Sequence, residues 1–149
     1  MCAIHARDSG LSLCGQLLIT PGTATQADAP SHTTFAQGYL LEKKGIAWFF
    51  DHYIDAVDRA DWRFAPLNAS DFDGVAPACV ILAECDPLVD EGIAYADKLR
   101  AAGVSVALKL FRGVTHDFIK LGRVIPEAIT AQEAAADFLR SVFEGKTIK

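Results

Sequence analysis

The chain has 149 residues, a length typical of one domain, and 51% of them are hydrophobic and 22% charged. The formal net charge is −5 and the longest basic run is Lys43-Lys44, which argues against a nucleic-acid-binding surface. No apolar run approaches the roughly 18 residues of a membrane span, and the first residues lack the apolar core of a signal peptide. The four cysteines show no metal-ligand spacing, so we expect reduced thiols in a cytoplasmic protein.

The beginning of the chain predicts a helix end, a strand and a loop. Residues 4–7 have the pattern of a last helical turn, closed by Asp8-Ser9-Gly10. Residues 13–20 predict a first strand, which stops at a Pro-Gly pair. Polar and small residues from 23 to 31 then predict a surface loop.

Helix-like patterns follow at residues 35–41 and 46–57, and residues 61–73 predict a long connection with short turns. The second pattern contains a dense group of aromatic side chains. We expect this group in the core, with the lining of an acyl pocket as the alternative. Its members are Trp48, Phe49, Phe50 and Tyr53.

The central element is the run from Ala78 to Ala83, which contains no polar side chain and predicts a strand buried on both faces of a parallel sheet. Residues 90–102 predict the clearest helix, and residues 104–111 predict a third strand. A strand, helix and strand within about 35 residues form a βαβ unit with a right-handed crossover. Pro126 begins a final helix. Its expected buried face consists of Ile129, Ala135, Phe138 and Val142.

Two chemically active side chains follow the neighbouring strands of this unit. Asp86 comes after the central strand, and His116 lies in a loop predicted at residues 113–118. Ligand-binding and catalytic residues are commonly found beyond the carboxyl ends of parallel strands. A carboxylate that orients an imidazole supplies two of the three members of a hydrolase triad. An aspartate before proline also suits a cap, and a single loop histidine is most often solvated. The residues alone therefore support a functional pair and two structural residues about equally. The other histidines are expected to be structural or exposed: His5, His32 and His52.

The segment from Asp86 to Gly92, followed by Gly113 and by His116-Asp117-Phe118, resembles the second half of the hormone-sensitive-lipase-like family of α/β-hydrolases. The resemblance extends over residues 3–143. It implies a partial α/β-hydrolase fold, with about three parallel strands and crossover helices in a single partial domain at residues 1–149. It also implies hydrolysis of carboxylic esters, as in carboxylesterases and lipases, with Asp86 as the acid of the catalytic triad and His116 as its base.

Other parts of the family pattern are missing from the sequence. There is no Gly-x-Ser-x-Gly nucleophile elbow and no His-Gly-Gly-Gly oxyanion loop. Ser9 comes nearest, but Arg7 stands where the leading glycine belongs. Cys85 is a poor substitute nucleophile, because nothing basic lies near it in sequence. Asp117 replaces a glycine that is common in the family, and its carboxylate is expected to face outward. None of the remaining serines has both a glycine two residues before it and a glycine two residues after it. These serines are Ser12, Ser31, Ser70, Ser105 and Ser141.

Two functions of different classes therefore stay open. In the first, the chain is the C-terminal portion of a serine carboxylesterase acting on small uncharged esters. A serine-bearing N-terminal half, in a longer parent chain or a separate polypeptide, then completes the site. In the second, the chain is an inactive fold remnant or interaction module. We expect the chain alone to be inactive and to self-associate through the unpaired edge of its first strand. No cofactor or metal is implied.

Overall fold

The structure, a computed structural model, describes residues 1–25 and 28–146. Its centre is a parallel sheet of three strands in the order β1-β2-β3. The strands are β1 (Gln16–Ile19), β2 (Ala78–Cys85) and β3 (Val106–Thr115). The helices are α1 (Cys2–Asp8), α2 (Ser31–Thr34), α3 (Lys43–Tyr53), α4 (Val89–Ala101) and α5 (Pro126–Phe143). Short 3₁₀ turns lie at Ala56–Asp58, Pro66–Asn68 and Phe118–Lys120. The predicted parallel sheet is confirmed, and no helix of the described part is long and apolar enough to cross a membrane.

Strand β2 is buried on both faces because the two halves of the core lie on either side of it. Alternate side chains of a strand point to opposite faces. One set packs under α4 against Tyr95 and Leu99, and the other packs under α5 against Phe138. The first set is Ala78, Val80 and Leu82, and the second is Cys79, Ile81 and Ala83. This arrangement explains why the central run carries no polar residue.

Helix α4 begins three residues after Asp86 and carries Asp90 and Glu91 in its first turn, where carboxylates interact favourably with the helix dipole. It ends before Gly103, whose φ of +76° is typical of a helix C-terminus. The predicted helix is confirmed to within one residue at each end. Helix α4 therefore fixes the backbone that immediately follows Asp86.

The packing of α4 on β2 requires a glycine at position 92. A Cβ atom at that position would lie 2.5 Å from Cδ2 of Leu82, a side chain that is 1% exposed. We expect Gly92→Ala to lower the free energy of unfolding by about 1–2 kcal/mol, although alanine favours helices by about 1 kcal/mol. Gly45→Ala in α3 is the matched control, because a Cβ there meets nothing within 4 Å. It should raise stability by about 0.5–1 kcal/mol. Equal effects in urea unfolding would contradict this close packing.

Some expectations for the first half of the chain were wrong. Residues 35–41 are not helical, and backbone φ angles of +85° at Gly38 and +72° at Leu40 are incompatible with a helix there. The aromatic group on α3 is not core, because Trp48, Phe49 and Tyr53 are exposed and only Ile46 of that helix is buried. The aromatic rings pack on one another and on His52 and Phe64 instead.

Four further expectations need correction. The segment 23–31 is not simply a surface loop, because Thr23 and Ser31 at its ends are buried; residues 26 and 27 lie outside the described residues. Strand β3 continues to Thr115, so His116 directly follows a strand. Ile129 is exposed, whereas the other three predicted face residues of α5 are buried. Strand β1 is also shorter than predicted, since it begins only at Gln16.

Candidate active site

Asp86 lies at the end of β2 and is 1% exposed. Its carboxylate oxygens have different partners. Oδ1 accepts the N–H of Leu88 at 2.9 Å, and Oδ2 lies 2.8 Å from Nδ1 of His116. The backbone carbonyl of Asp86 also accepts the N–H of Val89. The residue thus caps the turn into α4 and is also the partner of an imidazole. Both alternatives given by the sequence, a cap and one half of an acid–base pair, therefore apply to Asp86.

Part of the His116 side chain is accessible to solvent. Its side chain is 19% exposed, against 2% for the side chain of Asp86. When a carboxylate accepts a proton from Nδ1, the neutral imidazole holds its remaining lone pair on Nε2. In this state an imidazole can take a proton from a hydroxyl group at Nε2 and later return it. The pair has the geometry of the acid and base of a hydrolase triad.

An irregularity between β2 and β3 brings these two side chains level. Ala83 pairs with Phe111, but the next pair is Cys85 with Thr115. Three residues of β3 therefore oppose one residue of β2. After this β-bulge, position 116 lies beside position 86, at the same edge of the sheet. Sequence reasoning placed the two residues on neighbouring strand ends but gave no sign of the bulge.

A buried polar cluster supports the turn that carries Asp86. The carboxylate of Glu91 is 5% exposed and accepts the N–H groups of Thr23 and Ala24. Its other oxygen lies 2.9 Å from Nε2 of His32, a side chain only 1% exposed. Within the described chain, Nδ1 of His32 has no hydrogen-bond partner. This cluster joins the segment after β1 to the first turn of α4.

Ser31 adds two contacts to the same turn. Its hydroxyl donates to the carbonyl of Pro87 at 2.5 Å, and its backbone N–H donates to Oδ2 of Asp90 at 2.8 Å. Sequence reasoning missed this role of Ser31 and the pairing of Glu91 with His32. The available signal was a polar segment at 23–31 together with two acidic residues one turn after Asp86. A polar segment is equally typical of a solvated loop, and acidic residues in a first helical turn are equally explained by their interaction with the helix dipole.

The alternative nucleophiles do not join the pair in a comparable way. Ser9 lies at the C-terminus of α1, where its N–H donates to the carbonyl of His5. Cys85 is half-buried at the end of β2. Burial raises the pKa of the Cys79 thiol, which keeps that thiol in its unreactive protonated form.

Asp117 turns outward and pairs with Lys120 at 2.6 Å. No group of three His, Cys, Asp or Glu that could hold a metal ion occurs in the part of the chain described.

Comparison with known proteins gives the same picture as the geometry. The ethyl acetate hydrolase of Pseudomonas putida is 46% identical over 114 residues, which are 76% of this chain and 36% of that protein. The carboxylic ester hydrolase LipN of Mycobacterium tuberculosis is 44% identical over 108 residues, 71% of this chain and 29% of that protein. The solved structure of an ester hydrolase from the metagenome of Lake Arreo superposes with a TM-score of 0.89 at 36% identity. That match covers 95% of this chain and 46% of the other.

The chain thus spans less than half the length of the relatives that it matches, and it corresponds to part of their fold. The resemblance to carboxylesterase-type hydrolases inferred from the motif around Asp86 is confirmed at the level of the family. A family model described as "alpha/beta hydrolase fold" matches residues 1–120, which include both Asp86 and His116. The chain belongs to the α/β-hydrolase fold family.

Proposed function

We propose that the chain is the acid–base portion of a serine carboxylesterase of the hormone-sensitive-lipase-like branch. The observation that carries the proposal is the 2.8 Å contact between Oδ2 of Asp86 and Nδ1 of His116 at the carboxyl edge of the sheet. Its support comes from relatives that are themselves ester hydrolases. The nucleophilic serine and the oxyanion-binding N–H groups then come from polypeptide outside these 149 residues.

In this mechanism Asp86 orients His116 and stabilises the imidazolium that forms during the reaction. Nε2 of His116 takes the proton of the serine hydroxyl as the serine oxygen attacks the ester carbonyl. The imidazolium then protonates the leaving alcohol, and an acyl-serine remains. In the second half of the reaction, His116 takes a proton from water, which attacks the acyl group. The imidazolium then returns this proton to the serine oxygen as the acid is released, so the serine hydroxyl and the neutral imidazole are restored. Backbone N–H groups hold the oxyanion in both halves.

The proposal also covers the setting of this chemistry. We place the whole chain in one partial domain, since α4 and α5 cover the two faces of a single sheet. We infer a small uncharged ester as the substrate, in keeping with the name of the ethyl acetate hydrolase relative. We also infer a cytoplasmic location, because all four cysteines are free thiols.

The second candidate is an inactive fold remnant or interaction module, which the lack of a Gly-x-Ser-x-Gly sequence favours. A chimera separates the two. In it, this chain replaces the matching segment of the Pseudomonas putida ethyl acetate hydrolase, and the remainder of that enzyme supplies the serine. We expect the chimera to hydrolyse p-nitrophenyl acetate and the chain alone to show no turnover. A folded but inactive chimera would favour the remnant. Turnover by the chain alone, abolished in His116→Ala, would show that no outside serine is needed.

We further propose that the chain alone self-associates through the edge of β1, which has β2 on one side only within the described sheet. Such an edge offers backbone N–H and C=O groups to another strand, and the exposed Ile19 adds apolar surface. Size-exclusion chromatography should show oligomers, which Ile19→Lys reduces through charge repulsion at the edge. Ile129→Lys on α5 is the matched control, also an exposed isoleucine, and it should leave the oligomers unchanged. A wild-type monomer at high concentration would contradict the proposal.

A further inference from the structure

The bulge that brings Asp86 and His116 level is an interruption of an otherwise constant register. From Ala78 with Val106 to Ala83 with Phe111, each residue of β2 pairs with the residue 28 positions later. At Cys85 and Thr115 the difference is 30. Strand β3 thus gains two residues relative to β2 immediately before His116. Bulges bend a strand and re-aim the side chains that follow, and they are common next to active sites.

The position of His116 depends on these two residues. With the register unchanged, Val114 would stand beside Asp86. His116 would then lie about 6.6 Å further along the strand, at about 3.3 Å per residue. A hydrogen bond of 2.8 Å between Oδ2 of Asp86 and Nδ1 of His116 is incompatible with such a displacement. Whatever holds the bulge therefore holds the pair together.

The side chain of Glu84 binds the bulge directly. Glu84 is the β2 residue opposite the insertion, and its Oε2 accepts the N–H of Gly113 at 2.8 Å. Its Oε1 accepts a hydrogen bond from the guanidinium of Arg112. Gly113 has a φ of +69°, a left-handed conformation in which glycine is unstrained. The carboxylate thus gives a partner to a backbone donor at the point where the strand ladder is interrupted.

Both contacts of Glu84 lie at exposed positions, and they differ in the group that they bind. The side chain of Arg112 is 77% exposed and that of Glu84 is 33% exposed, so water and salt weaken the ion pair. The hydrogen bond to Gly113 acts on the backbone of the bulge itself. Both contacts lower the pKa of Glu84, Arg112 more than Gly113, so the group is an ionised acceptor at neutral pH. The Gly113 contact is therefore the one expected to fix the register.

We propose that Glu84 is a positioning residue for His116, which it holds beside Asp86 by binding the N–H of Gly113 in the β3 bulge. Glu84 acts through the backbone of β3 and not on the substrate. The inference rests on the proposed function only in that His116 is the base. The contact between Asp86 and His116 can be measured without any catalysis.

The test is the tautomer of His116 in this chain labelled with ¹⁵N-histidine, at a pH where the ring is neutral. Ring nitrogen shifts distinguish the Nδ1–H form from the Nε2–H form, and His116→Gln assigns the signal among four histidines. We expect the Nδ1–H form in the wild type, because Asp86 accepts that proton, and its loss in Asp86→Ala. Glu84→Leu should lose it in the same way. Glu84→Gln, which keeps an oxygen within reach of Gly113, should retain it, and so should Arg112→Leu.

A Glu84→Leu chain that is folded by circular dichroism and keeps the wild-type tautomer would overturn the inference. Glu84→Ala gives the same comparison if the leucine variant does not fold, since it leaves no bulky apolar side chain at this partly exposed position. In the chimera, Glu84→Leu should lower kcat about 100-fold with little change in KM, as expected for a misplaced base. A tautomer change without hydrolysis by the parent chimera would support the role of Glu84 and refute the proposed function. Hydrolysis by the parent chimera, together with an unchanged tautomer in Glu84→Leu, would support the proposed function and refute the role of Glu84.

Discussion

Replacing His116 with alanine in the chimera is expected to reduce kcat for p-nitrophenyl acetate by about 10⁴- to 10⁶-fold. Nε2 of His116 is the atom proposed to move the proton in both halves of the reaction, and no other histidine contacts Asp86 in the described structure. Asp86→Asn should cost about 10⁴-fold, because an amide that donates to Nδ1 favours the wrong tautomer. These would be the largest effects of any single substitution on activity.

His52→Ala is the matched control for this experiment. His52 is an exposed histidine on α3, and its Nδ1 donates to the carbonyl of Trp48 in the preceding turn. It should leave kcat within about twofold of the parent, since exposed positions away from a site are usually neutral. An His116→Ala chimera that is folded and loses less than tenfold in kcat would remove His116 from the mechanism.

Replacing Glu91 with alanine is expected to have the largest effect on stability, a loss of about 3–5 kcal/mol in the free energy of unfolding. The substitution removes the acceptor for the N–H groups of Thr23 and Ala24 and for Nε2 of His32. The contacts of Thr23 and His32 are buried, and that of Ala24 is partly buried. Each donor left without a partner costs about 1–3 kcal/mol. Urea unfolding measures the loss as a lower midpoint with an unchanged slope.

Two variants show whether the loss comes from the buried contacts. Glu91→Gln keeps an oxygen for the backbone donors and should lose about 1–3 kcal/mol. Glu127→Ala is the matched control, because Glu127 is also in the first turn of a helix but is exposed. It should lose about 0.3–1 kcal/mol, the value of a helix-dipole interaction. Similar losses for Glu91→Ala and Glu127→Ala would mean that the cluster around His32 contributes nothing beyond that dipole term.

The parts of the fold that the sequence predicts well are those in which a local pattern reports burial. The run at Ala78–Ala83 is apolar because α4 and α5 cover both faces of β2. The helix at 90–102 shows both a buried stripe and a terminal glycine at position 103. The motif that begins at Asp86 predicts the family because its residues are close together in sequence. In each case the information lies within a few turns of chain.

The features that were missed depend on partners far away in sequence. Thr23 is buried through hydrogen bonds to Glu91, 68 positions later, and its own neighbours give no sign of this. The N–H of Gly113 in the bulge donates to a carboxylate 29 positions earlier. The aromatic residues of α3, such as Trp48, show that a helix face is apolar but not what covers it. A short polar segment can therefore be interpreted either as a solvated loop or as a buried hydrogen-bonded segment until its partner is known.

The central claim is that Asp86 and His116 act as one unit with a serine from outside this chain. A double-mutant cycle in the chimera tests it most directly, with His116→Ala on this chain and serine to alanine in the elbow of the other part. Groups that act as a unit show strongly non-additive losses. We predict that the double variant hydrolyses p-nitrophenyl acetate no more slowly than either single variant. A double variant whose loss equals the product of the two single losses would show that His116 and the serine work independently, contrary to this account.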